Sequence, residues 1–145
     1  MFKKLFLASI LMAGSLSADP YFTIGLGPQM MMPSINVGYR DLIAPDKEIQ
    51  YDAAFEFATD GYEAHFTGRA AALFYPHEDV YVGPNLSISK IKIKHWKDDS
   101  QVALGIILGK DLGENFVDIT IEKCCYSKNY DDDLISAKIR YGWYF

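Results

Sequence analysis

The feature that most constrains this sequence is a two-residue alternation of apolar and polar side chains, which recurs in eight short segments. Such alternation is typical of β-strands that have one apolar and one polar face. Turn residues separate the segments, so the pattern predicts an antiparallel chain of hairpins. The predicted strands are Tyr21–Pro28, Ser34–Asp41, Ile49–Ala58, Tyr62–Tyr75, Val80–Lys94, Gln101–Gly109, Phe116–Tyr126 and Leu134–Phe145.

The fifth segment changes phase. Leu86 and Ile88 occupy even positions, whereas Ile91 and Ile93 occupy odd ones. A β-bulge would return these residues to one face of the strand, and we therefore expect one near Ser89.

The first eighteen residues have the composition of a secretory signal peptide. Two lysines precede an apolar run, and small residues follow it. The run is too short to cross a membrane as a helix. We therefore expect residues 1–18 to be a cleaved signal peptide and residues 19–145 to form one β domain. The pattern does not choose between cleavage after Ser17 and cleavage after Ala18.

The charge of the expected mature chain narrows the range of partners. After the signal peptide, 12 basic and 19 acidic residues remain, a formal charge of −7. A nucleic-acid-binding protein needs a basic face, so we expect no nucleic-acid partner. No later window approaches ~18 consecutive apolar residues, so a membrane-spanning chain of this sequence would have to be a closed barrel.

The apolar face of the predicted sheet is rich in aromatic residues. An eight-stranded barrel has an interior just wide enough for its own side chains, and this set of rings would overcrowd it. The opposite face carries glycines, small residues and charges of both signs. We therefore expect the aromatic face to point into lipid and the polar face to line the lumen. The aromatic residues are Phe22, Tyr39, Tyr51, Phe55, Phe57, Phe66, Phe74, Tyr141, Trp143 and Phe145.

The last segment carries the most specific resemblance to a known family. Ile139, Tyr141, Trp143 and Phe145 place apolar or aromatic residues at every second position. In this ending the chain resembles the small eight-stranded outer-membrane barrels of the OmpA and OmpX type. The resemblance implies an all-β, antiparallel, up-and-down transmembrane barrel in a bacterial outer membrane. It also implies that the barrel-assembly machinery recognises these four residues during biogenesis.

Hairpin geometry predicts ion pairs in the lumen. A tight turn at Thr59–Gly61 would set Asp52 opposite Arg69. The same register would set Glu56 opposite His65. Buried charges persist when they are paired and hydrogen-bonded, so we expect a plugged lumen rather than an open pore.

The last hairpin offers two further pairings. Glu122 would face Lys138 in one register. Asp118 would face Arg140 in the other. The sequence leaves both open.

Basic residues lie at the end of the fifth predicted strand and just beyond it. Lys94 and Lys97 would lie at the outer rim, where lipopolysaccharide phosphates are found, so we expect contact with lipopolysaccharide and outer-membrane lipid. Some lysines of this run are expected to face inward, so the sequence leaves this contact open. The adjacent Cys124 and Cys125 point to opposite faces of a strand, and the sequence does not decide their redox state.

The sequence contains no legible catalytic motif, and we expect no enzyme activity, metal or cofactor. A structural or surface-interaction barrel is the favoured function. The alternatives are a lipid-modifying barrel enzyme and a secreted lipid-binding barrel of the lipocalin kind. The deacylases of the first class carry a His-x-Ser pair that this chain lacks. A porin is disfavoured because eight strands leave no aqueous channel.

Overall fold

The protein is an eight-stranded antiparallel barrel. The computed structural model describes residues 19–28, 30–44, 49–129 and 134–145, so the predicted signal peptide lies outside the described residues. Each strand pairs with the next in sequence, and the last closes the barrel on the first. The strands are β1 (Asp19–Gly27), β2 (Met32–Ala44), β3 (Ile49–Thr59), β4 (Glu63–His77), β5 (Val80–Ile93), β6 (Asp99–Asp111), β7 (Asn115–Ser127) and β8 (Ile135–Tyr144).

Because the number of strands is even, both ends of the described chain lie at the same end of the barrel. Asp19 and Phe145 lie together at one end, which we term the terminal end. The connections after β1, β3, β5 and β7 lie at the opposite end, which we term the far end. Within the described part of the chain, no helix is long and apolar enough to cross a membrane.

Side-chain exposure confirms the predicted sidedness of the sheet. Phe55 and Tyr141 point outward and are 44% and 36% exposed. Arg69 and Glu122 point inward and are 7% and 3% exposed. Because side chains alternate strictly along a strand, each strand contributes one face to the lumen and the other to the outer surface.

Outward aromatic residues pair across neighbouring strands near both ends. Such cross-strand ring pairs stabilise a sheet and fix its register. The pairs are Phe22 with Trp143, Tyr39 with Tyr51, and Phe57 with Phe66. The first two pairs lie toward the terminal end, and the third lies toward the far end.

The predicted bulge near Ser89 is wrong. β5 keeps an unbroken register with β4 and β6 around this residue. Ile91 therefore points into the lumen and is 4% exposed, whereas Lys90 and Lys92 are exposed on the outside. The phase of the apolar residues changes because the lumen itself is partly apolar at the far end. Register shifts occur elsewhere: between β6 and β7 beside Cys125, between β2 and β3 at Leu42–Ala44, and between β4 and β5 at Phe74–His77.

Three inward aromatic rings lie over glycines of the next strand. A Cβ atom built on any of these glycines would overlap the facing ring. The ring and the missing side chain therefore fit together as one packed unit, which narrows the lumen. The pairs are Tyr21 with Gly38, Tyr81 with Gly109, and Phe116 with Gly142.

Candidate functional site

The lumen contains a group of charged side chains that we term the arginine cluster. Its members come from five different strands, so the group spans the width of the barrel. None of them is more than 7% exposed. The cluster consists of Arg40, Asp52, Arg69, Asp118 and Arg140.

Arg40 lies at the centre of the arginine cluster. Its Nε donates to Asp52 Oδ2 at 2.7 Å, and its Nη2 donates to Asp118 Oδ2 at 3.1 Å. Nη1 donates to the Tyr144 hydroxyl at 2.8 Å. The guanidinium carbon also lies 4.0 Å from the centroid of the Phe116 ring, a cation–π distance. Arg40 thereby links β2 to β3, β7 and β8.

Both carboxylates of the cluster have further donors. Asp52 accepts hydrogen bonds from the Tyr21 hydroxyl at 2.9 Å and from Arg69 Nη2 at 2.8 Å. Asp118 accepts two from Arg140, through Nε at 2.7 Å and Nη2 at 2.6 Å. Two parallel bonds of this kind are the strongest form of ion pair.

A second group lies beside the first, toward the far end, and we term it the lysine cluster. Lys138 Nζ lies 3.2 Å from Glu56 Oε1 and 3.2 Å from Glu122 Oε2. The Asn85 amide donates to the other oxygen of Glu122. One ammonium group therefore bridges two carboxylates on opposite sides of the lumen.

Apart from the partly exposed Asp111, which lies 3.6 Å from Arg40 Nη1, the two clusters are electrically balanced. The cations are Arg40, Arg69, Lys138 and Arg140, and the carboxylates are Asp52, Glu56, Asp118 and Glu122. Unpaired buried ions are very costly, so equal numbers of each sign allow these buried charges to compensate one another. Within the described ranges, no group of three or more His, Cys, Asp or Glu side chains could hold a metal ion.

The predicted register of the β3–β4 hairpin is wrong by two residues. Arg69 lies opposite Ala54, although its guanidinium still reaches Asp52 diagonally. Glu56 and His65 are not brought together, because His65 lies opposite Ala58. Glu56 contacts the lysine cluster instead.

The turn itself explains this shift. It extends beyond the predicted Thr59–Gly61, and Asp60 Oδ1 accepts the backbone N–H groups of Glu63 at 2.7 Å and Tyr62 at 2.8 Å. These bonds hold the pKa of Asp60 below its usual value, the bond from Glu63 contributing most. His65 Nε2 lies 3.1 Å from Glu63 Oε2, so its partner is on its own strand.

The last hairpin contains both of the contacts that the sequence left as alternatives. Asp118 lies directly opposite Arg140. Lys138 lies opposite Thr120, yet its long side chain reaches Glu122 diagonally. The two contacts are compatible because one is direct and the other is diagonal.

Sequence reasoning missed several lumen residues. Arg40 was not among the predicted pairs, although its position on the polar face of β2 was visible. Tyr21, Tyr81 and Phe116 share the inward parity of their strands. Strict parity would have placed these rings inside, but aromatic residues were expected in lipid.

Hydrogen-bonded tyrosines lie at the terminal end of the lumen. Tyr75 donates to Asp111 Oδ2 at 2.8 Å, and its hydroxyl oxygen also lies 3.1 Å from Gln50 Oε1. Tyr144 donates to Asp111 Oδ1 at 3.1 Å. Beside them, the fully buried Leu73 packs in an apolar cluster inside the barrel.

At the far end, Asp99 joins two connections. Its carboxylate accepts the Ser127 hydroxyl at 2.6 Å and the backbone N–H groups of Lys128 and Asn129, both at 3.0 Å. The β7–β8 connection is thus tied to the start of β6. Lys94, predicted as a lipopolysaccharide contact, is exposed in the β5–β6 turn.

The remaining predicted residues lie on the outside or near a strand end. Lys97 is exposed in the same turn as Lys94, and it interacts with another residue. Ile139, Tyr141, Trp143 and Phe145 share the outward face of the last strand and its end. Cys124 is buried and Cys125 exposed, and neither forms a disulfide.

Comparisons with known proteins show similarity in structure but not in sequence family. No model of a known protein family matches the chain, and no curated protein matches it. Among solved structures, the chain is similar to Neisserial surface protein A, with 14% identity, 87% of this chain and 92% of that chain covered, and a TM-score of 0.48. It is also similar to a de novo designed transmembrane β-barrel, with 10% identity, 89% and 95% covered, and a TM-score of 0.45.

Proposed function

We propose that this protein is an integral barrel of a bacterial outer membrane, with a lumen sealed by its charged clusters and a structural or surface-interaction role in the cell envelope. The observation that carries the proposal is the orientation of the sheet. Large apolar side chains cover the outside, including Val37 at 55%, Ile106 at 60% and Ile121 at 55% exposure. Monomeric soluble proteins rarely expose contiguous apolar patches above a few hundred Å², whereas lipid solvates such a surface.

The seal follows from the width of the barrel and the filling of its interior. Eight strands leave room only for side chains, and here those side chains are bonded to one another across the lumen. Arg40 contacts carboxylates on both β3 and β7, and so does Lys138. A permeating ion would have to break these contacts, so we expect no steady conductance.

The alternative functions have less support. A lipocalin-like carrier needs an apolar cavity, but this interior is occupied by ion pairs. A lipid-modifying enzyme needs a nucleophile with an adjacent base at the membrane surface. The His65 ring contacts Glu63 at the far end without a serine or cysteine partner in any bond that the structure shows. We therefore propose a non-catalytic protein.

We also propose that the assembly machinery recognises the outward side chains of the last strand, Ile139, Tyr141, Trp143 and Phe145. Their common outward face leaves them available before the barrel closes. In cells, Phe145→Ala should reduce the amount of folded barrel in the outer membrane, while refolding of the purified chain into detergent stays unchanged. Equal loss in both settings would indicate a folding defect and refute recognition.

The membrane assignment is tested by fractionation and unheated electrophoresis. We expect the protein in the outer-membrane fraction, with a folded band in detergent that shifts on heating. Planar-bilayer recording then tests the seal. Recovery as a soluble periplasmic protein would refute the membrane assignment, and a steady single-channel conductance of the wild-type barrel would refute the seal.

A further inference from the structure

Two lysines stand on the outer surface of β5 near the far end. The regular register of β5 around Ser89 turns Lys90 and Lys92 outward, and both are exposed. Lys90 lies beside Phe66 of β4 and Ser100 of β6. Phe66 in turn packs against the Phe57 ring, with centroids 5.2 Å apart. The lysines therefore adjoin an outward aromatic pair of the kind that marks a membrane interface.

The position of Lys90 along the barrel axis agrees with the edge of the hydrocarbon layer of a membrane. At the other end of the same wall, Lys110 of β6 points outward and lies opposite Val80. Val80 and Lys90 are about ten residues apart, which is roughly 23 Å along the barrel axis at ~3.3 Å per residue and ~45° tilt. An outer-membrane barrel has an apolar band about 25 Å tall. Lys90 and Lys110 thus lie at the two borders of one membrane layer.

The charge around these lysines is positive, although the chain as a whole is acidic at −5. The outward faces of β4, β5 and β6, all within the described residues, carry no carboxylate. The described acidic residues near the far end do not lie on these outward faces. Asp60 binds the backbone of its turn, Glu63 contacts His65, and Asp98 lies in the β5–β6 turn. No ion pair joins Lys90 or Lys92 to any of these described carboxylates.

We propose that Lys90 and Lys92 bind the phosphate group of a glycolipid in the outer leaflet, with its acyl chains lying on Ile88 and Leu86. An ammonium group is a compact charge that binds phosphate well, and lysines near a membrane surface attract anionic headgroups. Ile88 and Leu86 are the outward apolar residues directly below the lysines and are 59% and 41% exposed. This inference rests on the proposed membrane location. It places the lipid contact on the wall of the barrel, at Lys90 and Lys92, rather than in the β5–β6 turn, where Lys94 and Lys97 lie.

Binding of diphosphorylated lipid A to the folded barrel in a neutral detergent tests the site. Native mass spectrometry measures the affinity of the wild type, of Lys90→Gln with Lys92→Gln, and of the control Lys110→Gln. The control removes an outward lysine at the terminal end. We expect the double variant to bind about thirtyfold more weakly, since each lysine near an anionic surface contributes roughly fivefold. The control should bind like the wild type, and dephosphorylated lipid should bind all three weakly and equally.

Three outcomes would overturn the site. One is equal affinity of the double variant and the wild type, and another is an equal loss in Lys110→Gln, which would indicate non-specific charge attraction. The third is displacement of the lipid by an equal concentration of inorganic phosphate, which would indicate a free-anion site. Unheated electrophoresis of every sample separates these outcomes from failure of the proposed function. Absence of a folded band in the wild type would refute the membrane barrel itself, whereas a folded barrel without the expected difference refutes only the lipid site.

Discussion

The ion pair between Asp118 and Arg140 gives the sharpest test of the proposed sealed lumen. Both side chains are 1% exposed, and two bonds of 2.6 and 2.7 Å join them. Arg140→Met keeps most of the side-chain length and leaves Asp118 with a single arginine contact, from Arg40 at 3.1 Å. Removing one partner of a buried ion pair costs about 3–5 kcal/mol.

The remaining contact from Arg40 places the expected cost near the lower limit of that range. We expect Arg140→Met to destabilise the barrel by about 3 kcal/mol, roughly a hundredfold in the folding equilibrium. Asp118→Asn alone should also destabilise it. The double variant should recover much of the loss, with a coupling energy of about 2 kcal/mol, because neither charge is then left alone. Urea unfolding in lipid vesicles, followed by tryptophan fluorescence, measures all four stabilities.

The control is Lys110→Met, which removes an exposed charge from the outside of the barrel. It should change stability by less than about 0.5 kcal/mol. A cost below about 1 kcal/mol for Arg140→Met, the usual worth of a solvated surface pair, would show that water screens the cluster. The sealed-lumen reasoning would then be wrong.

Three further predictions concern a packed glycine, a loop and a turn. Gly109→Ala should destabilise the barrel by about 1–3 kcal/mol because its methyl group would overlap the Tyr81 ring. Gly68→Ala, whose Cβ meets no atom within 4 Å, is the matched control, and equal losses would contradict the packing explanation. Asp99→Ala should release the β7–β8 connection and speed its cleavage by added protease, with the barrel wall still resistant; unchanged cleavage would refute this role. The pKa of Asp60 is lowered by the Glu63 and Tyr62 N–H groups, so its contribution to the turn is present above the ordinary carboxyl pKa and is lost as the pH falls through the lowered value. The protection of that turn's amides, taken relative to their intrinsic exchange rates at each pH, should therefore fall in acid, and Asp60→Asn should remove this pH dependence; equal protection at both pH values would refute it.

The facing of most side chains was predictable because it depends on parity alone. A two-residue period assigns Phe55 outward and Asp52 inward whatever the register, and the structure agrees. Register was harder, because it depends on the length of each turn. The β3–β4 turn, in which Asp60 accepts backbone hydrogen bonds, is longer than expected, and Glu56 is therefore not paired with His65.

Other features depended on closure of the barrel and were not visible in any one hairpin. Arg40 and Asp118 are 78 positions apart in sequence, and only a closed sheet brings them together. The bulge predicted near Ser89 was wrong for another reason, because the apolar Ile91 was assumed to face lipid. Near the rim, lysine is well placed outside, and isoleucine fills the lumen.

The distribution of charges along the chain makes the order of assembly matter. β3 and β7 supply all four carboxylates of the two clusters, whereas β2 and β4 supply only two of the cations. The other two cations, Lys138 and Arg140, arrive with β8. A sheet of seven strands would therefore enclose a surplus of two negative charges, which repel one another and disfavour burial. The pairing of these charges therefore favours addition of β8. Truncated or misaligned intermediates lack this pairing and stay open to rearrangement or proteolysis.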